Sequence, residues 1–218
     1  MLHKGTVDQA TLELLISLQG KTYLKEFYLV GGTALSLYLG HRKSIDIDLF
    51  SNFGFDISEL LEKLQQDFNF EIFSTAVNTL KGSINQVKID FIAHRYPNIN
   101  DPLQIDDITL LSIQDILAMK LNAIATSGQR SKDFIDIYFA LSGFDLDNML
   151  DFYQRKYNQT NVFHVLKSLI YYDDVDLSDW PVLISEPDLK WKDVTSKLEA
   201  NVFEVIKKNK RQNIISYL

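Results

Sequence analysis

Asp46 and Asp48 are carboxylates separated by one residue, and a Gly31-Gly32-Thr33 turn lies shortly upstream of them. The stretch that holds both reads FYLVGGTALSLYLGHRKSIDIDLFS. Residues two apart on a strand project from the same face, so both carboxylates would meet one ligand. Such neighbours repel unless a cation lies between them. Mg²⁺ takes a few carboxylates together with substrate phosphate oxygens and water. Glycines between a strand and a helix let backbone N–H groups approach an anion, and the following helix N-terminus favours negative charge. The chemistry within reach is a metal-assisted displacement at a phosphate. The plain alternatives are a solvent-facing polar edge for the aspartates and a tight turn, capped by Thr33, for the glycines. Asp is depleted in strands, so a pair on one short strand asks for a reason.

Asp90 falls on a second expected strand, with Lys88 on the same face. A third carboxylate there could complete a two-metal site and accept a proton from an attacking hydroxyl. Metals roughly 4 Å apart stabilise the entering and leaving oxygens of an in-line displacement. The alternative is a Lys88–Asp90 surface pair, which is worth little energetically.

The elements that must position these residues follow from periodicity. Residues 7–19 have helical apolar spacing. Phe27–Val30 reads as a buried strand, Thr33–Leu39 as a helix closed by Gly40, and Ile45–Phe50 as a strand with Ile45, Ile47 and Leu49 packing inward. A helix starts at Asp56. Phe70–Val77 and Ile84–Ala93 read as strands around a turn at Lys81-Gly82-Ser83, and Ile105–Leu111 as an additional strand. Ser112-Ile113-Gln114-Asp115 resembles a capping box before a helix over Ile116–Ala125. Further helices are expected over 131–141, 147–157, 161–171 and 191–208, with a loop over Tyr172–Trp180. The fold class expected is α+β: a mixed domain over 1–111, then a helical domain over 112–218.

The whole chain sets wider bounds. Its 218 residues, 46% hydrophobic and 23% charged, suit one large domain or two small ones. The absence of cysteine excludes disulfides and thiolate chemistry. No run is long and apolar enough to span a bilayer and no signal-peptide pattern opens the chain, so a cytoplasmic protein without a membrane partner is expected. The four histidines have no metal-ligand spacing. A net charge of −7 weighs against a broad nucleic-acid footprint, although His41-Arg42-Lys43, Arg130 with Lys132, and Lys207-Lys208-Asn209-Lys210-Arg211 are local basic clusters. The last of these reads as a solvated helix end. Tyr96, Tyr153 and Tyr157 are candidates to stack on a base.

In this order, Gly-Gly-Thr, Asp-x-Asp and a later strand Asp resemble the polymerase-β-like nucleotidyltransferase superfamily. More closely, GGTALSLYLGHRKSIDIDLFS resembles the signature of the AbiEii/AbiGii toxin family of nucleotidyltransferases. KLNAIATSGQRSKDFIDIYFAL, residues 120–141, resembles that family's second block. The resemblance implies a polymerase-β-like mixed sheet with flanking helices and an enzyme that moves a nucleoside monophosphate from a nucleoside triphosphate. Gly31, Gly32 and Thr33 would cradle the triphosphate, and Asp46 and Asp48 would hold Mg²⁺, with Mn²⁺ as the alternative. Arg42 and Ser44 would steady the loop or the phosphates. Lys120 would contact a phosphate, and Asp136 with Asp133 would complete the site. Asp90, from the strand reading, is the candidate third carboxylate. The plain alternatives for the second block are a Lys132–Asp136 surface pair, a dipole-favoured Asp133 and a solvated Lys120.

The acceptor implied is a transfer-RNA-like end or a protein hydroxyl, within a toxin–antitoxin or phage-defence system that includes an antitoxin. Two rivals stand beside it. One is transfer to a small molecule such as an aminoglycoside, which the net acidity favours. The other is a non-catalytic nucleotide-binding regulator, against which the intact aspartates argue.

Overall fold

The computed structural model describes the backbone of residues 1–215 and the side chains of residues 1–209. The chain divides into two compact units, Met1–Ile116 and Leu117–Leu218.

The first unit is built on a seven-stranded mixed sheet. Its strands are β1 (Tyr28–Val30), β2 (Ile47–Ser51), β3 (Glu71–Ala76), β4 (Thr79–Ile84), β5 (Val87–Ala93), β6 (Leu103–Ile105) and β7 (Ile108–Leu110), in the spatial order β3-β4-β5-β2-β1-β7-β6. β2 is the central strand, parallel to β5 and antiparallel to β1. Its alternation puts Ile47 and Leu49 fully inside, in register with Ile89 and Phe91 of β5. Phe27 and Phe70 pack edge-on against Phe91, with ring centroids 5.5 and 6.1 Å away. Helices α1 (Gln9–Gln19), α2 (Gly31–Leu39) and α3 (Ile57–Phe68) belong to this unit. Asp8 and Asp56 cap α1 and α3 by accepting from the backbone N–H groups of Thr11 and Glu59, each at 2.9 Å. Gly40 closes α2 in the left-handed conformation.

Three expectations are corrected here. The turn expected at Lys81-Gly82-Ser83 lies inside β4. The reversal falls instead at Asn85-Gln86, both with positive φ, the backbone of a tight hairpin. Gly82 is a glycine because of close approach: a Cβ there would stand 2.2 Å from the Glu71 carbonyl oxygen and 2.3 Å from the Phe70 ring. The strand expected from Ile45 starts at Ile47, and Ile45 is exposed. The additional strand over 105–111 is a hairpin of β6 and β7 turning at Asp106-Asp107, with Asp106 at positive φ.

Helix α4 (Ile113–Thr126) starts at the expected box: the Asp115 N–H donates to Ser112 Oγ at 3.1 Å, and Ser112 Oγ donates to the Asp115 carboxylate at 2.6 Å. Asp115 also accepts from the Ile99 N–H at 2.9 Å, which fixes the proline-containing loop. The second unit continues with α5 (Ser131–Ala140), α6 (Leu146–Tyr157), α7 (Phe163–Ser168) and α8 (Trp191–Ile215). Phe134, Tyr172 and Trp191 pack edge to face in its core. The acidic loop is pinned where the Asp176 N–H donates to the Gln129 carbonyl at 2.8 Å. α8 runs past the basic cluster to Ile215, so that cluster is not a helix end. Lys207 and Lys208 are exposed on it, and the side chains of Lys210 and Arg211 lie outside the described residues.

Candidate active site

The β1–α2 turn is tight because two glycines open the helix. Gly31 has φ +70°, and a Cβ on it would stand 2.1 Å from Asp48 Oδ2. A Cβ on Gly32 would stand 2.4 Å from a terminal nitrogen of the Arg42 guanidinium. The N-terminus of α2 therefore lies between a carboxylate and a guanidinium. Its N-cap residue, Val30, makes no side-chain cap hydrogen bond, and a helix N-terminus favours an anion.

Asp48 lies on β2 and Asp46 just ahead of it, both half-buried. Strand register sets the row around Asp48: Val30 of β1 on one side and Asp90 of β5 on the other. Lys81 of β4 follows Asp90 in the same row. Lys81 Nζ stands 2.6 Å from Asp90 Oδ2. Asp90 Oδ1 is buried and has no hydrogen-bond partner. An unpaired buried carboxylate oxygen is costly, so this atom calls for a cation or a proton. Lys88, the partner of Asp90 in the alternative surface-pair reading, is exposed and lies on the next row. Lys81 is thus a site residue that sequence reasoning missed. The signal that could have found it is Asn85, a residue suited to positive φ between two alternating runs, which would have placed Lys81 on a strand.

The loop that presents Asp46 is fastened at several points. The Thr33 hydroxyl donates to the Asp46 carbonyl, and the Thr33 and Ser44 hydroxyl oxygens lie 2.8 Å apart. The Ser44 N–H donates to the Thr6 carbonyl at 3.0 Å, and Lys43 Nζ donates to the Gly5 carbonyl at 2.6 Å. Thr33 is buried and its one hydrogen is used here. Its hydroxyl holds the aspartate loop. Arg42 is buried and donates to the Lys43 carbonyl at 3.0 Å.

The second block forms its own cluster. Lys120 on α4 is buried, with Nζ 2.6 Å from Asp133 Oδ1 and 2.7 Å from Asp136 Oδ2, both on α5. Arg130 Nε stands 3.9 Å from Asp133 Oδ2. Lys132 turns away to Asp179, so the surface pair with Asp136 does not form. Asp136 is enclosed and engaged by Lys120, so it positions that ammonium. Tyr153 and Tyr157 are core residues, whereas Tyr96 is 45% exposed.

Hard carboxylate oxygens suit Mg²⁺ or Mn²⁺, and Asp90 Oδ1 is an orphaned donor beside Asp48. Among the described residues no three His, Cys, Asp or Glu side chains form a group that could hold a metal, so Asp46, Asp48 and Asp90 are not a closed cage. Mg²⁺ binds through one or two carboxylates plus substrate phosphates.

Comparison with known proteins bears on this arrangement. A sequence profile described as nucleotidyl transferase AbiEii toxin, type IV TA system, matches residues 14–204. The chain is 34% identical over 159 residues to an uncharacterised protein, aq_aa25, of Aquifex aeolicus (strain VF5), covering 68% of this chain and 75% of that one. Among solved structures it resembles MenT4, the nucleotidyltransferase toxin Rv2826c from Mycobacterium tuberculosis H37Rv, with a TM-score of 0.60 at 15% identity over 88% of this chain and 80% of that one. It also resembles JHP933 from Helicobacter pylori, with a TM-score of 0.56 at 18% identity over 97% of this chain and 98% of that one. These two likenesses bear on the fold, which is the mixed α+β fold of nucleotidyltransferases. Among the described residues no helix is long and apolar enough to cross a membrane.

Proposed function

The chain belongs to the AbiEii nucleotidyltransferase toxin family, and from that premise we infer that it is a metal-dependent enzyme that transfers a nucleoside monophosphate from a nucleoside triphosphate to an RNA hydroxyl. The observation that carries this reading is the Asp48 carboxylate against Gly31 at the N-terminus of α2, in register with Asp90. An anionic triphosphate and a cation complement those two features together.

In the reaction the acceptor hydroxyl oxygen bonds to the α-phosphorus, the bond to the bridging α–β oxygen breaks, and pyrophosphate leaves. Gly31 and Gly32 admit the phosphates to the backbone N–H groups of α2. Mg²⁺, held by Asp46 and Asp48, would neutralise charge developing on the phosphates. Asp90 Oδ1 accepts the hydroxyl proton while Lys81 holds Oδ2. Within the second unit Asp133 and Asp136 orient the Lys120 ammonium, the group to which the family signature assigns a phosphate contact. A toxin role opposed by an antitoxin follows the family.

The acceptor is tested by incubating the protein with Mg²⁺ and each α-labelled nucleoside triphosphate, beside total RNA, a protein mixture or an aminoglycoside. Label on RNA, removed by ribonuclease, supports the reading. Label confined to protein or to the aminoglycoside contradicts the RNA acceptor.

A further inference from the structure

Beyond the phosphate chemistry, the catalytic face of the sheet carries a line of rings. Phe50 lies two residues past Asp48 on β2 and so shares its face. Residues two apart on a strand are separated by about 6.6 Å, close to the spacing of successive nucleotides in an extended single strand. The His94 N–H donates to the Ser51 carbonyl at 2.8 Å, which extends the β2–β5 pairing by one residue and holds the imidazole beside Phe50. The ring centroids of Phe50 and His94 are 5.9 Å apart, and those of His94 and Tyr96 are 4.8 Å apart, both pairs tilted. The Tyr96 N–H donates to the His94 carbonyl at 2.7 Å. Tyr96 is 45% exposed at the outer end of this line.

Phe91, two residues before Ala93 on the opposite face, is fully buried among other rings, as a core aromatic is. Tyr96 instead presents ring surface to solvent, next to the exposed cation Arg95. The segment IAHRYPNIN, residues 92–100, carries no carboxylate of its own. Rings interleaved with a cation are the means by which single strands are bound without sequence readout: bases stack and the cation tracks the backbone.

We propose that His94 and Tyr96, continuing from Phe50, form a stacking platform for an unpaired nucleobase of the RNA acceptor, with Arg95 on its phosphate. This rests on the reading of the acceptor as RNA. The platform lies one strand step or more from Asp48, which suits a base near the reacting end.

The test uses the full chain and a short single-stranded oligoribonucleotide with 2-aminopurine at its 3′ end, without nucleoside triphosphate. Stacking on the platform quenches the probe. Tyr96→Ala should weaken binding on the order of tenfold and relieve the quenching, because one base–aromatic contact is lost. Tyr96→Phe should keep both. Binding of labelled nucleoside triphosphate with Mg²⁺ should be equal in all three proteins. The proposal is overturned if Tyr96→Ala binds the oligonucleotide as the wild type does, or if nucleoside triphosphate binding falls instead, which would give the rings to the donor's base. If the wild type quenches the probe, Tyr96→Ala does not, and no label reaches RNA, the platform stands and the reading of the reaction fails. If label reaches RNA and Tyr96→Ala is unaltered, the reading stands and the platform falls.

Discussion

Two charged clusters carry the family's motifs, and they are built in opposite ways. Around the β1–α2 turn Asp46 and Asp48 are half-buried, and Asp90 is buried with one oxygen that has no hydrogen-bond partner. Around Lys120 the groups are enclosed, and one ammonium stands within 2.7 Å of carboxylate oxygens of both Asp133 and Asp136. The first cluster holds a buried carboxylate oxygen, Asp90 Oδ1, without a hydrogen-bond partner. The second is balanced within its own unit. Removing a group from the first should therefore damage chemistry and spare stability, and removing a group from the second should damage stability first.

The largest effect expected is at the first cluster. Asp46→Asn with Asp48→Asn should lower nucleotidyl transfer on the order of a hundredfold or more, as loss of electrostatic stabilisation at a reacting phosphate does. The thermal midpoint should change little. A drop in the midpoint large enough to explain the lost activity would break the comparison.

Lys120→Met comes next. It leaves two carboxylates buried without their cation, which costs about 3–5 kcal/mol. Chemical denaturation should show that loss, and Lys120→Met with Asp133→Leu and Asp136→Leu should recover most of it. If the single variant is as stable as the wild type, the cluster is not the closed ion triad described.

Gly31→Ala joins the two kinds of effect. Its φ of +70° costs a side chain about 1–2 kcal/mol. Its Cβ would also collide with Asp48 Oδ2, so activity should fall further than stability. Equal losses in both would mean that the close approach serves only folding.

The smallest effect is at Tyr38, away from both clusters. Its hydroxyl donates to the Leu111 carbonyl at 3.0 Å, and burial, then the nearby Asp115 charge, push its pKa up to about 12. The folded value is raised, so the contribution is complete below the unfolded value and is lost as pH rises through the folded one. Stability should therefore decline between the ordinary tyrosine pKa of about 10 and the folded value. Tyr38→Phe should make that alkaline limb shallower, since Tyr23, Tyr138 and Tyr172 share it, and should cost about 1 kcal/mol at neutral pH through the lost hydrogen bond. An unaltered alkaline limb in Tyr38→Phe would refute this.

What was legible in the sequence was local. The Gly31-Gly32 turn, the Asp48 strand, the Gly40 stop and the Ser112–Asp115 box each depend on residues within a few positions. Gly82 was misread because a glycine needed for close approach looks in sequence like one that breaks a strand. Ile45 was misread because alternation alone does not say where pairing begins. Lys81 was invisible because its meeting with Asp90 depends on a hairpin register. Lys120 could be named from the family signature, but its enclosure by Asp133 and Asp136 depends on how two helices pack. The Phe50, His94 and Tyr96 rings became a group only when the β2–β5 pairing was seen to run one residue past β5.

The central claim is that the Asp46–Asp48 site releases pyrophosphate from a nucleoside triphosphate. The most direct measurement follows pyrophosphate release by the wild type with total RNA and Mg²⁺, beside EDTA-treated enzyme and the Asp46→Asn/Asp48→Asn variant, with folding of each checked by circular dichroism. The account predicts release by the wild type, abolished by EDTA, restored by added Mg²⁺ and absent from the folded variant. Release that persists undiminished in the variant would contradict it.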